Sequence, residues 1–149
     1  MPPNITILLY SNNKINILNN IPINLVELDC NFNKIIKLDN LPHTLLKLDC
    51  SNNLISSLDN LPPSLIELKC SYNVITSLDN LPSSINVLYC KALNITSLDN
   101  LPCNLKILCC YDNNISNLDN LPQGLIELYC LGNKISNFSN LPCNLKILN

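Results

Sequence analysis

Six cysteines recur every twenty residues, at Cys30, Cys50, Cys70, Cys90, Cys110 and Cys130, and three more stand apart at Cys103, Cys109 and Cys143. Thiols in this number could form disulfides or hold a metal. Tetrahedral zinc needs four ligands converging on one point, and a column of parallel thiols points one way. Free Cys packs as a small hydrophobe and is among the most buried residue types, so the six read as core. Cys103 and Cys143 fall in an outer turn two repeats apart, about 10 Å at strand spacing, too far for a disulfide.

A second series is acidic: Asp39, Asp59, Asp79, Asp99 and Asp119. Hard cations prefer oxygen ligands, so a calcium ladder is one reading. The other is that each Asp caps its own turn through a side-chain-to-backbone bond. Asn19 and Ser139 hold the same position in the outer repeats and can make that bond without charge, which favours capping. His43 is the only histidine, and no Ser or Cys nucleophile is assigned near it, as a catalytic dyad requires. Gly124 and Gly132 are the only glycines, so a glycine-rich phosphate loop is absent. The chain is expected to be non-catalytic and to carry no metal or other cofactor.

The element that positions these residues is a repeat. Pro occurs at 2, 22, 42, 62, 82, 102, 122 and 142, a spacing of 20 without insertion or deletion. The unit reads L-P-x-x-L-x-x-L-x-C-x-x-N-x-I-x-x-L-D-N; seven copies fill residues 1–140 and a partial eighth ends at 149, which reads as one domain over 1–149. Apolar columns run through every copy: Leu8 to Leu148, Ile15 to Ile135, Leu18 to Leu118 with Phe138, and Ile5 or Leu25 to Leu145. Around Leu-x-x-Leu-x-Cys, apolar residues alternate with variable ones, as in a short strand with one buried face. A helix of three turns with two loops does not fit in the dozen residues left for the return path. Pro, Asn and Asp there favour turns and extended backbone. Apolar residues make up 47% of the chain and aromatics 5%, which suits a thin, layered core of Leu and Ile.

The string Leu45-Leu46-Lys47-Leu48-Asp49-Cys50-Ser51-Asn52-Asn53-Leu54-Ile55 resembles the leucine-rich-repeat signature, with Cys in place of the third Leu. The period and the Leu-Pro opening resemble the short repeats of bacterial type III effectors, and the Asn- and Ile-rich wording is similar to repeat proteins of giant DNA viruses of amoebae. The resemblance implies a leucine-rich-repeat solenoid, a right-handed superhelix of mostly parallel β structure. Its convex side would be coil and brief 3₁₀ turns, with little or no α-helix. It also implies a recognition scaffold with a protein partner, in a host-protein recognition or adaptor role. For a chain of effector or viral origin, the resemblance implies action in the host cytoplasm.

Charge and hydropathy narrow the partners. The net charge is −2, and nine lysines with no arginine are scattered and outnumbered by acids. Nucleic-acid binding draws on clustered Lys and Arg, so no nucleic-acid partner is expected. No apolar run approaches the ~18–20 residues of a membrane span, and the start lacks a signal-peptide pattern. The chain reads as intracellular, with no membrane partner.

Asn13, Asn33, Asn53, Asn73, Asn113 and Asn133 form a further column. A carboxamide both donates and accepts, so these can satisfy backbone groups where the strand turns the corner. Leu93 breaks the column and Asn94 follows it. A local distortion is expected at Lys91–Asn94.

Specificity belongs to the outward strand positions. Repeats two to four present Glu27, Asp29, Lys47, Asp49, Glu67 and Lys69, a mixed-charge zone. Repeats five to seven present Val87, Tyr89, Ile107, Cys109 and Tyr129, with Tyr111 and Leu131 at the strand exits. Apolar and tyrosine residues clustered on a concave sheet are the usual makings of an interface. The expected partner surface is therefore that patch with Glu67 and Lys69 at its border. Tyr72 and Phe32 stand in the neighbouring loop column and would extend that surface. The Leu145–Leu148 strand would offer an edge for pairing with a second chain, so self-association or end-to-end stacking is the alternative function.

Overall fold

The computed structural model describes Pro2 and residues 4–149. Each repeat contributes one strand: β1 Ile7–Leu9, β2 Glu27–Asp29, β3 Lys47–Asp49, β4 Glu67–Lys69, β5 Val87–Tyr89, β6 Ile107–Cys109, β7 Glu127–Tyr129 and β8 Ile147–Leu148. They form one parallel eight-stranded sheet in the order β1 to β8. Register shifts by one repeat at every pairing, so Leu8 faces Leu28 and Leu28 faces Leu48. The strands are short because the backbone leaves the sheet at both ends. At entry, one carbonyl accepts two successive amides: Val26 and Glu27 both donate to Thr6 O, at 2.8 and 3.0 Å. Before that, Pro22 O accepts from Leu25 N at 3.2 Å, a tight turn repeated at Pro42, Pro62, Pro82, Pro102, Pro122 and Pro142. Pro suits this place because its missing N–H leaves no ladder bond unmade.

The leucine-rich-repeat solenoid follows from this stacking. The Leu column is buried from Leu8 to Leu128, and Ile35, Ile55, Ile75 and Ile115 are 0% exposed. Side chains of every inward column pack against the copies on either side, so the core is a continuous stack of layers. The convex side is turns and coil, and among the described residues neither α-helix nor 3₁₀-helix forms. The 3₁₀ turns expected there are replaced by the Pro-x-x-Leu turns and by Asp-Asn pairs whose Asn is left-handed, with φ of 59° to 65° at Asn40, Asn60, Asn80 and Asn100. Asn tolerates that conformation because its short side chain bonds locally.

At the last repeats the inward columns lose their cover. Phe138 is 52% and Leu148 44% exposed, and Ile135 and Leu145 are only partly buried. A layer is dry only when another lies on each side of it.

Candidate interaction surface

Three ladders hold the strands in place. The first is the asparagine column. Asn53 Nδ2 donates to Cys30 O and Cys50 O, both at 3.0 Å, while its Oδ1 accepts from Ile35 N at 2.9 Å. Asn73 repeats the pattern one layer on. Each carboxamide thereby ties its own repeat to the one before it. Among the described residues, every buried side-chain N or O atom has a partner.

Repeat five departs from this. Leu93 fills the asparagine slot and is 1% exposed. The equivalent isoleucine amides at 15, 35, 55, 95 and 115 donate to an asparagine Oδ1 of the next repeat. Ile75 N has no such acceptor among the described residues. The ladder bond made by Leu54 N and Val74 N to the preceding isoleucine carbonyl is also missing at Asn94. Asn94 instead adopts φ of 65°, which no other residue of its column does. The distortion expected at Lys91–Asn94 is present, and Asn94 stays exposed on the outside.

The second ladder is the cysteine column, whose six members are free thiols and buried. Cys50 Sγ donates to Lys69 O at 3.4 Å and Cys70 Sγ to Tyr89 O at 3.4 Å. Burial pushes the Cys30 and Cys70 thiols up to about 12, with nearby aspartates adding to the rise. At neutral pH these are inert, protonated side chains.

The third ladder corrects an expectation. The aspartates do not cap their own turns. Instead Asp59 Oδ1 accepts from Asn80 Nδ2 of the next repeat at 3.2 Å, and Asp79, Asp99 and Asp119 accept likewise from Asn100, Asn120 and Asn140. The turn bond is made by the residue two before: Ser57, Ser77 and Ser97 Oγ accept the Asp amide, at 2.9–3.1 Å. The same three hydroxyls donate to Oδ2 of Asp59, Asp79 and Asp99 at 2.5 Å, so each of these carboxylates is held in its own turn through Oδ2 and joined to the next repeat through Oδ1. The Ser and Asn bonds hold Asp79 and Asp99 below the ordinary carboxylate range. Among the described residues no three His, Cys, Asp or Glu converge.

The concave face carries the outward columns on these rigid supports. Val87, Tyr89, Ile107, Tyr111 and Tyr129 are half-buried, and Leu131 is 68% exposed. Tyr111 and Tyr129 meet edge to face, with ring centroids 6.1 Å apart at 64°. Tyr129 OH donates to Glu127 Oε2 at 2.9 Å. At the border Lys69 pairs with Glu67 at 3.3 Å and stands 5.6 Å from the Tyr89 ring centroid. Cys109 differs from expectation. It occupies an outward position, yet it is 8% exposed, because its column neighbours are Tyr89 and Tyr129. It is the floor of the patch. Repeats two to four carry Glu27, Asp29, Lys47, Asp49, Glu67 and Lys69 around one shallow depression. His43 lies exposed in the Pro42–Leu45 turn.

Phe32 and Tyr72 were expected to extend this patch from the loop column, while Leu54 and Val74 were not singled out. All four are more exposed than any of the concave tyrosines. The signal was the columns they share with Asn52 and Lys34.

A parallel solenoid of 20-residue repeats with aliphatic, Cys and Asn columns is a leucine-rich-repeat protein with short repeats, similar to bacterial effector-type repeat proteins. Three solved structures make the likeness specific. YopM from Yersinia enterocolitica WA-314 is 33% identical at a TM-score of 0.79, over 99% of this chain and 38% of its own. A Shigella effector leucine-rich-repeat domain is 30% identical at 0.80, over 91% of this chain and 62% of that one. The functional domain of InlJ from Listeria monocytogenes, described as including a cysteine ladder, is 32% identical at 0.85, over 99% of this chain and 34% of that one. The chain thus spans between about a third and three-fifths of the lengths of these structures. No protein-family model and no curated protein sequence matches it.

Proposed function

We propose that the chain is a non-catalytic protein-interaction module that binds its partner on the concave sheet, in a host-protein recognition or adaptor role. The supporting observation is the fixed group of Tyr89, Tyr111 and Tyr129 over the Cys109 floor, flanked by Val87 and Ile107. Tyrosine offers a large contact area at low entropy cost and is enriched at interface hot spots. Here the rings are half-buried; Tyr129 is held by the Glu127 hydrogen bond and by Tyr111, and Tyr89 stands against Lys69, so little further ordering is needed on binding. Glu67 and Lys69 form a charged rim, and Leu131 extends the patch outward. Similarity to effector repeat domains supports a protein partner. Among the described residues no helix is long and apolar enough to cross a membrane.

The test is a pull-down from host-cell lysate with the double variant Tyr89→Ala and Tyr129→Ala. Capture should be lost while circular dichroism stays unchanged. Unaffected capture would mean the patch is wrong.

A second reading is self-association through β8. It is favoured by Leu131, Phe138, Ile147 and Leu148, exposed by 41–68% around one strand that pairs on one side only. Light scattering against concentration separates the two, since a binder plateaus at a small species and a stacking protein keeps growing.

A further inference from the structure

The charges on the concave face of repeats two to four are unevenly compensated. In one column Glu27, Lys47 and Glu67 face one another in register, so opposite charges alternate across β2, β3 and β4. In the other column Asp29 faces Asp49. Like charges directly opposite on neighbouring strands destabilise a sheet. Lys69 follows Asp49 in that column, but its ammonium lies 3.3 Å from Glu67 and 5.6 Å from the Tyr89 ring centroid. Lys34, on the loop after β2, is exposed and pairs with neither aspartate. Asp29 Oδ1 accepts from Asn31 N and Asp49 Oδ1 from Ser51 N, both at 3.0 Å. An amide leaves the negative charge in place. Among the described residues neither Oδ2 has a hydrogen bond or an ion pair.

Four carboxylates and two ammoniums therefore line the depression there. Lys47 stands between Glu27 and Glu67, and Lys69 is paired with Glu67, so the excess falls on Asp29 and Asp49. Both are half-buried, and half-buried charges are screened less than exposed ones. They lie one layer apart, ~4.7–4.9 Å, so one guanidinium can bond both carboxylates. The surface runs on into the tyrosine patch, since Lys69 is in register with Tyr89. Tyr89 and Tyr129 stand two and four layers beyond Asp49, roughly 10 and 19 Å away. An extended chain covers ~3.3 Å per residue, so these spans correspond to about three and six residues. Lys69 lies between the two halves and repels a cation placed on Tyr89, which fixes the order of what binds.

We propose that the partner presents an extended protein segment along the solenoid axis, with one Lys or Arg on the Asp29–Asp49 pair and, about three to six positions away, apolar or aromatic residues on the Tyr89–Tyr129 patch. This inference rests on the concave-sheet reading and adds the charge and spacing of what binds there.

The experiment is selection of a phage-displayed random dodecapeptide library on the full chain. Enriched peptides should carry Lys or Arg about three to six positions from an aromatic or large aliphatic residue. The affinity of a synthesised enriched peptide should fall about tenfold in the double variant Asp29→Asn, Asp49→Asn. Added salt should weaken binding to the parent and hardly affect that variant. Asn keeps an oxygen to accept from Asn31 N and Ser51 N, so the variant should melt no lower than the parent, which separates lost binding from lost fold. Asp39→Asn, which removes the same charge from the convex side, should leave affinity unchanged. Acidic peptides, no enrichment, an equal loss in Asp39→Asn, or indifference to the paired Asn change overturns the proposal. If indifferent peptides still lose affinity in Tyr89→Ala, Tyr129→Ala, the concave-sheet reading survives alone. Peptides weakened by the Asn changes yet unaffected by the two Ala changes overturn both.

Discussion

Replacing Leu93 by Asn should raise the melting temperature, because the slot it fills was shaped for a carboxamide. Ile75 is 0% exposed, and an acceptor returned to its amide is worth ~1–3 kcal/mol. Asn94 is then free to leave its left-handed conformation and donate to Ile75 O, as Val74 N does to Ile55 O at 3.0 Å, adding ~0.5–1.5 kcal/mol. Against this stands the burial of the Leu93 side chain, ~1.5–3 kcal/mol. The central values leave a net gain of about 1 kcal/mol, or roughly 2–4 °C for a chain of this size. Calorimetry measures the shift. Amide hydrogen exchange locates it, because Ile75 N–H should slow selectively. An unchanged or lower melting temperature, or an Ile75 amide that exchanges as before, would refute the account of the asparagine column.

The thiols should divide by burial. At pH 8 a thiol reagent should label the exposed Cys103 and Cys143 quickly and Cys30 and Cys70 only after unfolding, and fast labelling of the inner column in the folded chain would contradict the raised pKa near 12 of those two thiols. The aspartate ladder should add acid sensitivity. Folded Asp79 and Asp99 sit below their ordinary value, so their contribution is present above the ordinary Asp range and is lost as pH falls through the lowered values. Ser77→Ala should move the Asp79 carbon chemical-shift titration back upward, and an unmoved midpoint would show that serine does not hold the carboxylate.

Much of this molecule was legible because a repeat writes each structural decision many times. Leu48 and Cys50 on one side of the strand with Lys47 and Asp49 on the other could be read from the twenty-residue columns, and the strand register follows from the same spacing. The role of Asn53 was legible as well, since a buried carboxamide beside a strand exit has few uses besides satisfying backbone groups. The aspartates were misread because sequence spacing places Asp59 near its own turn, while its partner Asn80 is 21 residues away and adjacent only after the layers stack. Cys109 was misplaced for a related reason. Its outward direction was correct, but its exposure depended on the size of Tyr89 and Tyr129 in neighbouring strands.

By itself, the sequence determined which side chains point inward, because a period of twenty with unvarying aliphatic positions has one way to hide them all from water. It also determined where the backbone must turn, through Pro and Asn at fixed offsets. Only the tertiary structure decided how far each outward side chain stands from solvent and which polar groups meet across layers. Those depend on neighbours a full repeat away, whose distance is set by the stacking and not by the chain. Phe32 and Tyr72 illustrate both halves: their column is written in the sequence, and their exposed rings were revealed only by the fold.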